Sequence, residues 1–214
     1  MTEHALLAAL STGATGLGIE LSSKQLEQLT TYWDVLDRWN QTINLTAIPL
    51  QGHPQASIDR LLLEPIAAHR LMPEAPAVWY DLGSGNGSPA VPLSIVSPGL
   101  RLLMVESRTR KVAFLREAVR TLDMSTTAVM AVRFEELAGG RRQVADCVTV
   151  RAVRPDAGLL AACAALLKPE ARLVLFGTTH QVDELPGFTL LESIPSPAAG
   201  SSIHSFVPRG TFRR

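Results

Sequence analysis

The sequence predicts an α/β protein built on a mostly parallel, doubly wound sheet. From residue 78 onward, short apolar runs typical of strands alternate with helix-like stretches, and this alternation indicates a parallel sheet with helices on both faces. A glycine-rich turn after the first run is typical of sheets that bind a nucleoside. The chain has 214 residues, of which 46% are hydrophobic and 19% charged. That is enough for one domain with a sizeable core.

The front of the chain predicts a helical extension over residues 1–75, before a sheet domain at 76–214. Ser22 begins a helix that runs to about Trp39, since Gln25 completes a capping-box pattern and apolar residues recur at three- and four-residue steps. A second helix is predicted over 58–72, and Pro73 and Pro76 end its pattern.

The elements of the sheet domain follow from the apolar runs and the stretches between them. Strands are predicted at 78–80, 102–105, 128–132, 147–150, 173–176, 188–194 and 204–207. Helices or turns are predicted at 89–96, 110–122, 134–138 and 155–167.

Composition excludes several classes of protein. The longest uncharged apolar run, 157–167, has 11 residues, whereas a membrane span takes about 20. The amino terminus has no early Lys or Arg, so we expect no secretory signal and a cytoplasmic protein. Cys147 and Cys163 form no CxxC pair and have no His at ligand spacing, so neither a disulfide framework nor a metal site is expected.

The charge is uneven along the chain although it sums to zero. Residues 101–154 contain 11 Lys and Arg against 6 Asp and Glu, while residues 1–100 contain 4 against 9. A basic middle segment can face phosphates in a neutral protein. On charge alone, a solvated helix face is the favoured explanation.

The glycine turn spells DLGSGNGSP over residues 81–89. Gly83, Gly85 and Gly87 allow a sharp bend and a close approach of the backbone to a ligand. Glu106 ends the second strand, 19 residues beyond Gly87, and can accept hydrogen bonds from both hydroxyls of a ribose. Taken singly, the turn can also be structural and Glu106 can be an exposed carboxylate.

The details of the turn favour one cofactor. A diphosphate-binding fingerprint reads GxGxxG, but Ser88 stands where its third glycine would be and Asp81 precedes the turn. A carboxylate repels a diphosphate and suits a sulfonium ligand that carries an ammonium group. S-adenosyl-L-methionine is therefore the predicted cofactor, with nicotinamide-dependent hydride transfer as the alternative.

Several motifs occur in a fixed order along the chain: WNQTINLT at 39–46, the turn at 81–89, ES at 106–107 with RKVAFL at 110–115, RFEE at 133–136 and RAV at 151–153. Together they resemble the RsmG family of bacterial 16S rRNA guanine-N7 methyltransferases, also called glucose-inhibited division protein B (GidB). The resemblance covers roughly residues 20–177.

The resemblance implies a Rossmann-like class I methyltransferase that takes a methyl group from S-adenosylmethionine to N7 of one guanine. It implies 16S rRNA or the 30S subunit as partner, and we expect a monomer. By the same resemblance Gly83 and Ser88 line the methionine part, Phe134 and Glu135 meet the adenine, and Arg151 borders the cofactor or target pocket. The cofactor residues expected from pattern and resemblance together are Asp81, Gly83, Gly85, Gly87, Ser88, Glu106, Phe134, Glu135 and Arg151.

The chemistry needs few catalytic groups. Guanine N7 carries a lone pair that needs no deprotonation, so orientation and electrostatics can suffice. We therefore assign no general base, and Arg151 is the one candidate on the target side. The RNA-binding candidates are Arg108, Arg110, Lys111 and Arg116, although helical spacing spreads them over more than one face.

Four positions depart from the family pattern. Ser88 and Ala90 stand in a segment that usually reads GFPG, Ala56 replaces a usual His, and Phe176 replaces the Lys of a Lys-Gly pair. These changes leave the cofactor scaffold intact and affect the target side. They keep open a member with an altered substrate, or an RNA- or ribosome-binding module without turnover.

Overall fold

The computed structural model describes residues 3–140, 142–151, 155–178 and 185–209. The strands are β1 (Ala77–Leu82), β2 (Leu100–Val105), β3 (Thr127–Met130), β4 (Ala145–Arg151), β5 (Leu167–Thr178), β6 (Phe188–Pro195) and β7 (Ser201–Pro208). The α-helices are α1 (Glu3–Gly16), α2 (Ser23–Asn40), α3 (Gln55–Ile58), α4 (Glu64–Ala67), α5 (Ala90–Val96), α6 (Thr109–Thr121), α7 (Phe134–Gly140) and α8 (Ala157–Leu166).

One seven-stranded sheet has the order β3-β2-β1-β4-β5-β7-β6. β1 to β5 pair in parallel, and β7 is antiparallel to both of its neighbours. The predicted fold class is therefore confirmed. Strand order reverses between β1 and β4, and in such sheets ligands bind outside the carboxyl ends of the strands at this switch point.

Helices cover both faces of the sheet because successive strand residues point to opposite sides. Trp79 and Met104 pack with the amino-terminal helices on one face, while Tyr80 and Val148 pack with α8 on the other. The first face forms a single apolar cluster with α1, α2, α5 and α6. The division at residue 76 stays a prediction.

The amino-terminal helices differ from their predicted form in two respects. The sequence pattern did not delimit α1. The single helix predicted over 58–72 is interrupted: a π-helical turn, Asp59–Leu63, joins α3 to α4, and a 3-10 turn, Ala68–Leu71, follows. Pro65 accounts for the interruption, because it has no N–H to continue the ladder of i to i−4 hydrogen bonds.

The other predicted elements are present with modest shifts. Ser22 caps α2, and the reciprocal bonds with Gln25 confirm the capping box. β5 begins six residues before the predicted start, at Leu167, where the backbone turns extended directly after α8. Among the described residues, no helix combines the length and apolar character that a bilayer crossing requires.

Candidate functional site

A cleft of about 520 Å³ opens at the carboxyl ends of the central strands. Because these strands are parallel, the residues that follow them meet at one edge of the sheet. The cleft is lined by Leu45, Thr46, Ile48, Arg60, Leu61, Gly83, Ser84, Gly85, Asn86, Ser88, Glu106, Ser107, Arg108, Lys111, Phe134 and Arg151. It thus brings together six of the nine cofactor residues expected from the sequence.

The glycine turn lies on the floor of the cleft in a conformation that glycine favours. Gly83, Gly85 and Gly87 have φ values of 74°, 52° and 84°, the left-handed region in which a Cβ is unfavourable. A Cβ at Gly87 would lie 3.2 Å from the ring of Tyr32. The hydroxyl of Tyr32 donates to the carbonyl of Asn86 at 2.7 Å, so α2 supports the turn from behind.

Glu106 is tied to the same turn. Its Oε2 accepts from the N–H of Gly85 at 3.1 Å, and its Oε1 accepts from the N–H of Arg108 at 2.8 Å. Each carboxylate oxygen can accept more than one hydrogen bond. Glu106 therefore lines the cleft with acceptor capacity left on both oxygens, which is the arrangement that a pair of vicinal hydroxyls needs.

A narrow slot of about 100 Å³ continues from the cleft past the end of β3. Val132, Phe134 and Glu135 line it, together with Gly83 and Glu106. The Phe134 side chain is half-buried, while Glu135 is exposed. An aromatic face with a free carboxylate beside it suits a flat heterocycle that carries an amino group.

Asp81 lies beneath the turn and does not line the cleft. It is 1% exposed, and its Oδ1 accepts from the hydroxyl of Thr149 on β4 at 2.5 Å. Its Oδ2 is buried and has no hydrogen-bond partner among the described residues. Burial raises the pKa of Asp81 to about 6, against the opposing effects of the Thr149 hydrogen bond and the charge of Arg151.

Arg151, the last residue of β4, is held by four groups. Its Nη1 donates to the carbonyl of Arg60 at 3.1 Å and to Oγ of Ser88 at 2.5 Å, while its Nη2 donates to Oε2 of Glu64 at 2.5 Å. The guanidinium carbon lies 4.7 Å from the ring centre of Phe176. Burial lowers the pKa of Arg151 to about 10, so the group stays protonated at neutral pH. The two residues that follow it in the RAV motif lie outside the described residues.

Glu64 is the functional candidate that the sequence analysis missed. Its side chain is fully buried in α4, and Arg60 donates to both of its oxygens, at 2.7 and 2.9 Å. Two hydroxyls from the segment around the β6–β7 connection, Ser196 and Ser201, donate to Oε1. The signal available in the sequence was an acidic residue beside Pro65 within an otherwise apolar stretch, where a charged side chain is rare.

The interruption of the helix at Pro65 leaves two backbone carbonyls, those of Arg60 and Leu61, free to accept hydrogen bonds from side chains outside the helix. The N–H of Glu64 bonds to the carbonyl of Asp59, and Pro65 has no N–H. The carbonyl of Arg60 therefore accepts from Arg151, and the carbonyl of Leu61 accepts from Oγ of Ser88 at 2.7 Å. The π-helical turn thus joins the amino-terminal helices to the glycine turn and to β4.

The four RNA-binding candidates separate in space. Arg108 and Lys111 line the cleft, and Nζ of Lys111 lies 3.7 Å from where a Cβ would stand at Gly85. Arg110 and Arg116 are exposed and are not among the lining residues. Helical spacing on α6 is the reason, as the sequence analysis anticipated.

The WNQTINLT segment forms another wall of the cleft. Oδ1 of Asn40 accepts from the N–H groups of Leu45 and Thr46, both at 2.9 Å, and this fixes the loop after α2. Trp39 packs edge-on against Phe114, which is a core contact. The motif therefore shapes the cleft through its backbone and through Leu45 and Thr46.

The four departures from the family pattern fall in different places. Ser88 and Phe176 are both buried and both contact Arg151. Ala90 is buried in the first turn of α5, whereas Ala56 is exposed on α3. Two of the four changes therefore surround one guanidinium at the cleft.

Metal-binding residues do not cluster in the part of the chain that the structure describes: no group of three or more His, Cys, Asp or Glu side chains there can hold an ion. Cys147 and Cys163 are buried and unpaired, and burial raises the pKa of the Cys163 thiol to about 12.

Comparison with known proteins gives consistent matches. Residues 25–195 match the family model GidB, described as rRNA small subunit methyltransferase G. The protein named ribosomal RNA small subunit methyltransferase G from Stenotrophomonas maltophilia (strain K279a) is 35% identical over 94% of this chain and 94% of its own length. Its namesake from Geobacter sp. (strain M21) is 34% identical over 83% and 80%. Among solved structures, a SAM-dependent methyltransferase from Aquifex aeolicus shares the fold, with a TM-score of 0.55 at 13% identity over 71% of this chain and 93% of that one.

Proposed function

Since the chain belongs to the GidB family of rRNA small subunit methyltransferases, as its motifs predicted, we propose that it methylates N7 of a guanine in 16S rRNA. The methyl donor is S-adenosylmethionine. One observation carries the proposal: a single cleft joins the glycine turn, Glu106 and Phe134 to two arginines, Arg60 and Arg151. The first group suits a nucleoside donor, and the second gives the opposite wall the positive charge that suits a guanine edge or a phosphate.

The residues around the turn fit this donor. Three left-handed glycines leave the turn without Cβ atoms, and Asp81 holds a buried carboxylate oxygen without a partner two residues before it. We call the three glycines, with Glu106, Phe134 and Glu135, the donor side. Glu106 holds the ribose hydroxyls, Phe134 and Glu135 hold the adenine, and Gly83 to Ser88 border the methionine part.

The opposite wall takes the base that is methylated. We call Arg60, Glu64, Arg151 and Phe176 the target side, together with Ser88, which ends the glycine turn and therefore lies where the two sides meet. When bound, S-adenosylmethionine supplies an electrophilic methyl group on its sulfonium sulfur. The chain itself orients the guanine and needs no general base, because N7 attacks through its own lone pair.

The rRNA substrate reaches this site along a basic rim. Arg108 and Lys111 border the cleft mouth, where their charges can meet phosphates beside the target nucleotide. Arg110 and Arg116 are exposed on α6 and can contact phosphates farther away. We propose that the protein acts as a monomer without a metal ion, on ribosomal RNA in the cytoplasm.

The test is a transfer assay with labelled S-adenosylmethionine and either 30S subunits or naked 16S rRNA, followed by mapping of modified guanines. We expect label in N7-methylguanine at one position. Donor binding without transfer to either substrate would indicate a binding module instead. Binding of a nicotinamide cofactor alone would overturn the assignment of the donor side.

A further inference from the structure

We propose that Glu64 is a positioning residue for methyl transfer. It holds Arg151 so that the two terminal guanidinium nitrogens, Nη1 and Nη2, cannot bind guanine N7. This inference rests on the proposed function, since it concerns the base that the cleft would take. It assigns a role to Glu64, a fully buried carboxylate that contacts both Arg60 and Arg151.

The contacts of Glu64 show how firmly it is fixed. Its two oxygens accept from Arg60, Arg151, Ser196 and Ser201 at distances between 2.5 and 2.9 Å. These partners come from the π-helical turn, from β4 and from the segment around the β6–β7 connection. A carboxylate with so many charge-assisted and hydroxyl bonds has little freedom to move.

The same network occupies the end of the Arg151 side chain. Nη1 meets two protein acceptors and Nη2 meets Glu64, while Nε is buried and has no partner among the described residues. The face of the guanidinium lies over Phe176. The two terminal nitrogens are thus directed at the protein.

This direction matters because of the geometry of guanine. A free arginine binds the major-groove edge of guanine through two parallel bonds, one to O6 and one to N7. A bond to N7 would occupy the lone pair that must attack the methyl group. An arginine near a guanine N7 methyltransferase site therefore has to be prevented from making this pair of bonds.

Charge explains why a carboxylate performs this task. Arg60 is a quarter exposed and lines the cleft beside Arg151, so two positive charges share one buried negative charge. Without that charge the two guanidinium groups repel each other. Arg151 would then lose its direction and turn its donors toward the base.

The experiment compares wild type with Glu64→Gln, which keeps the shape of the side chain and removes its charge. We expect kcat to fall about 10- to 100-fold, as it does when a group near the reacting atoms is misplaced. We expect the dissociation constant for the RNA substrate to stay equal or to decrease, because the freed guanidinium binds guanine more fully. The dissociation constant for S-adenosylmethionine should not change.

A matched control is Glu192→Gln, which removes a carboxylate that pairs with Arg70 on the exposed side of β6. It should leave kcat and both dissociation constants at wild-type values. The inference is overturned if Glu64→Gln keeps wild-type turnover, or if its RNA or donor affinity weakens along with turnover, since a general distortion of the cleft would produce that pattern.

A second variant decides the matter if Glu64→Gln does not fold. Ser88→Ala removes one acceptor of Nη1 and leaves Glu64 in place. We therefore expect a smaller fall in kcat than in Glu64→Gln, again with a dissociation constant for RNA that stays equal or decreases. Unchanged turnover, or weaker RNA binding, would again refute the role of the network. The wild-type arm is separate: if wild-type protein makes no N7-methylguanine, the proposed function itself fails.

Discussion

On the donor side of the cleft, the binding groups come from three successive strand-to-helix turns: the backbone of the glycine turn and the side chains of Glu106, Phe134 and Glu135. On the target side, the charged side chains of Glu64 and Arg151 are largely buried, and their partners come from segments far apart in the chain, at residues 60, 88, 176 and 196–201. The difference distinguishes residues that bind ligand from residues that also stabilise the fold. Donor-side groups contribute to binding at little cost in folding, whereas target-side groups are themselves part of the folded core.

This contrast predicts that donor-side changes impair ligand affinity and target-side changes impair stability. The largest effect is expected for Gly83→Asp, which places a Cβ at a φ of 74° and a negative charge beside Glu106. Affinity for S-adenosylmethionine should fall at least about 1,000-fold, or about 4 kcal/mol. Calorimetric titration measures it.

The matched control for this variant is Gly187→Asp. Gly187 has a similar φ of 83° and open space where a Cβ would stand, so it reports the backbone strain without the cleft. Its donor affinity should equal that of wild type. If Gly83→Asp binds the donor normally, the assignment of the donor side is wrong.

The target side is tested in the opposite sense by Arg151→Ala. Loss of the guanidinium leaves Glu64 buried with one cation instead of two. The carbonyl of Arg60 and Oγ of Ser88 also lose the donor that Arg151 supplied. The free energy of unfolding should fall by about 3 to 4 kcal/mol, as measured by urea denaturation, with donor affinity close to wild type. Arg70→Ala, which breaks an exposed pair, should cost less than about 1 kcal/mol. Equal losses in the two variants would contradict the buried network.

Asp81 lies between the two sides and should give the stability a pH dependence. Its pKa is about 6 in the folded chain because burial disfavours the charge, and Thr149, Ser84, Arg151 and Glu106 surround it. The unfolded chain loses this proton near pH 4. Between pH 4 and pH 6 the folded state therefore binds more protons, and the free energy of unfolding should decrease as the pH rises, by about 2 to 3 kcal/mol.

Asp81→Asn isolates this contribution because the amide does not titrate. Urea denaturation at several pH values from 4 to 7 should show a smaller decrease for the variant than for wild type. Parallel curves for the two proteins would mean that Asp81 does not control this dependence.

The same contrast explains what the sequence could predict. The parallel sheet follows from the alternation of apolar runs and helix-like stretches, and the glycine turn and Glu106 follow from spacing within one strand–helix–strand unit. Capping by Ser22 and Gln25 was predicted for the same reason. The interruption at Pro65 was missed, since an apolar repeat with a helical period continues through it.

The target side could not be assembled from the sequence because its partners are far apart along the chain. Glu64 and Ser201 are 137 residues apart, and no local pattern announces their contact. Ser88 was predicted to line the methionine part and was noticed as a departure from the family pattern, whereas Phe176 was noticed only as such a departure. The contact of Phe176 with Arg151 depends on the alignment of β4 with β5, and the contact of Ser88 with Arg151 depends on the pairing of β1 with β4. Periodicity alone predicts neither alignment.

The smallest effect that the comparison predicts belongs to Glu106→Gln. A glutamine offers one acceptor oxygen, so either Gly85 or Arg108 loses the acceptor of its N–H, and one ribose hydroxyl loses a charged partner. Donor affinity should fall about 10-fold, or about 1.4 kcal/mol, while the free energy of unfolding changes by less than about 1 kcal/mol. Glu74→Gln, an exposed carboxylate before β1, is the control for charge. If Glu106→Gln instead lost stability and kept its affinity, the donor side would be as structural as the target side, and the contrast between them would fail.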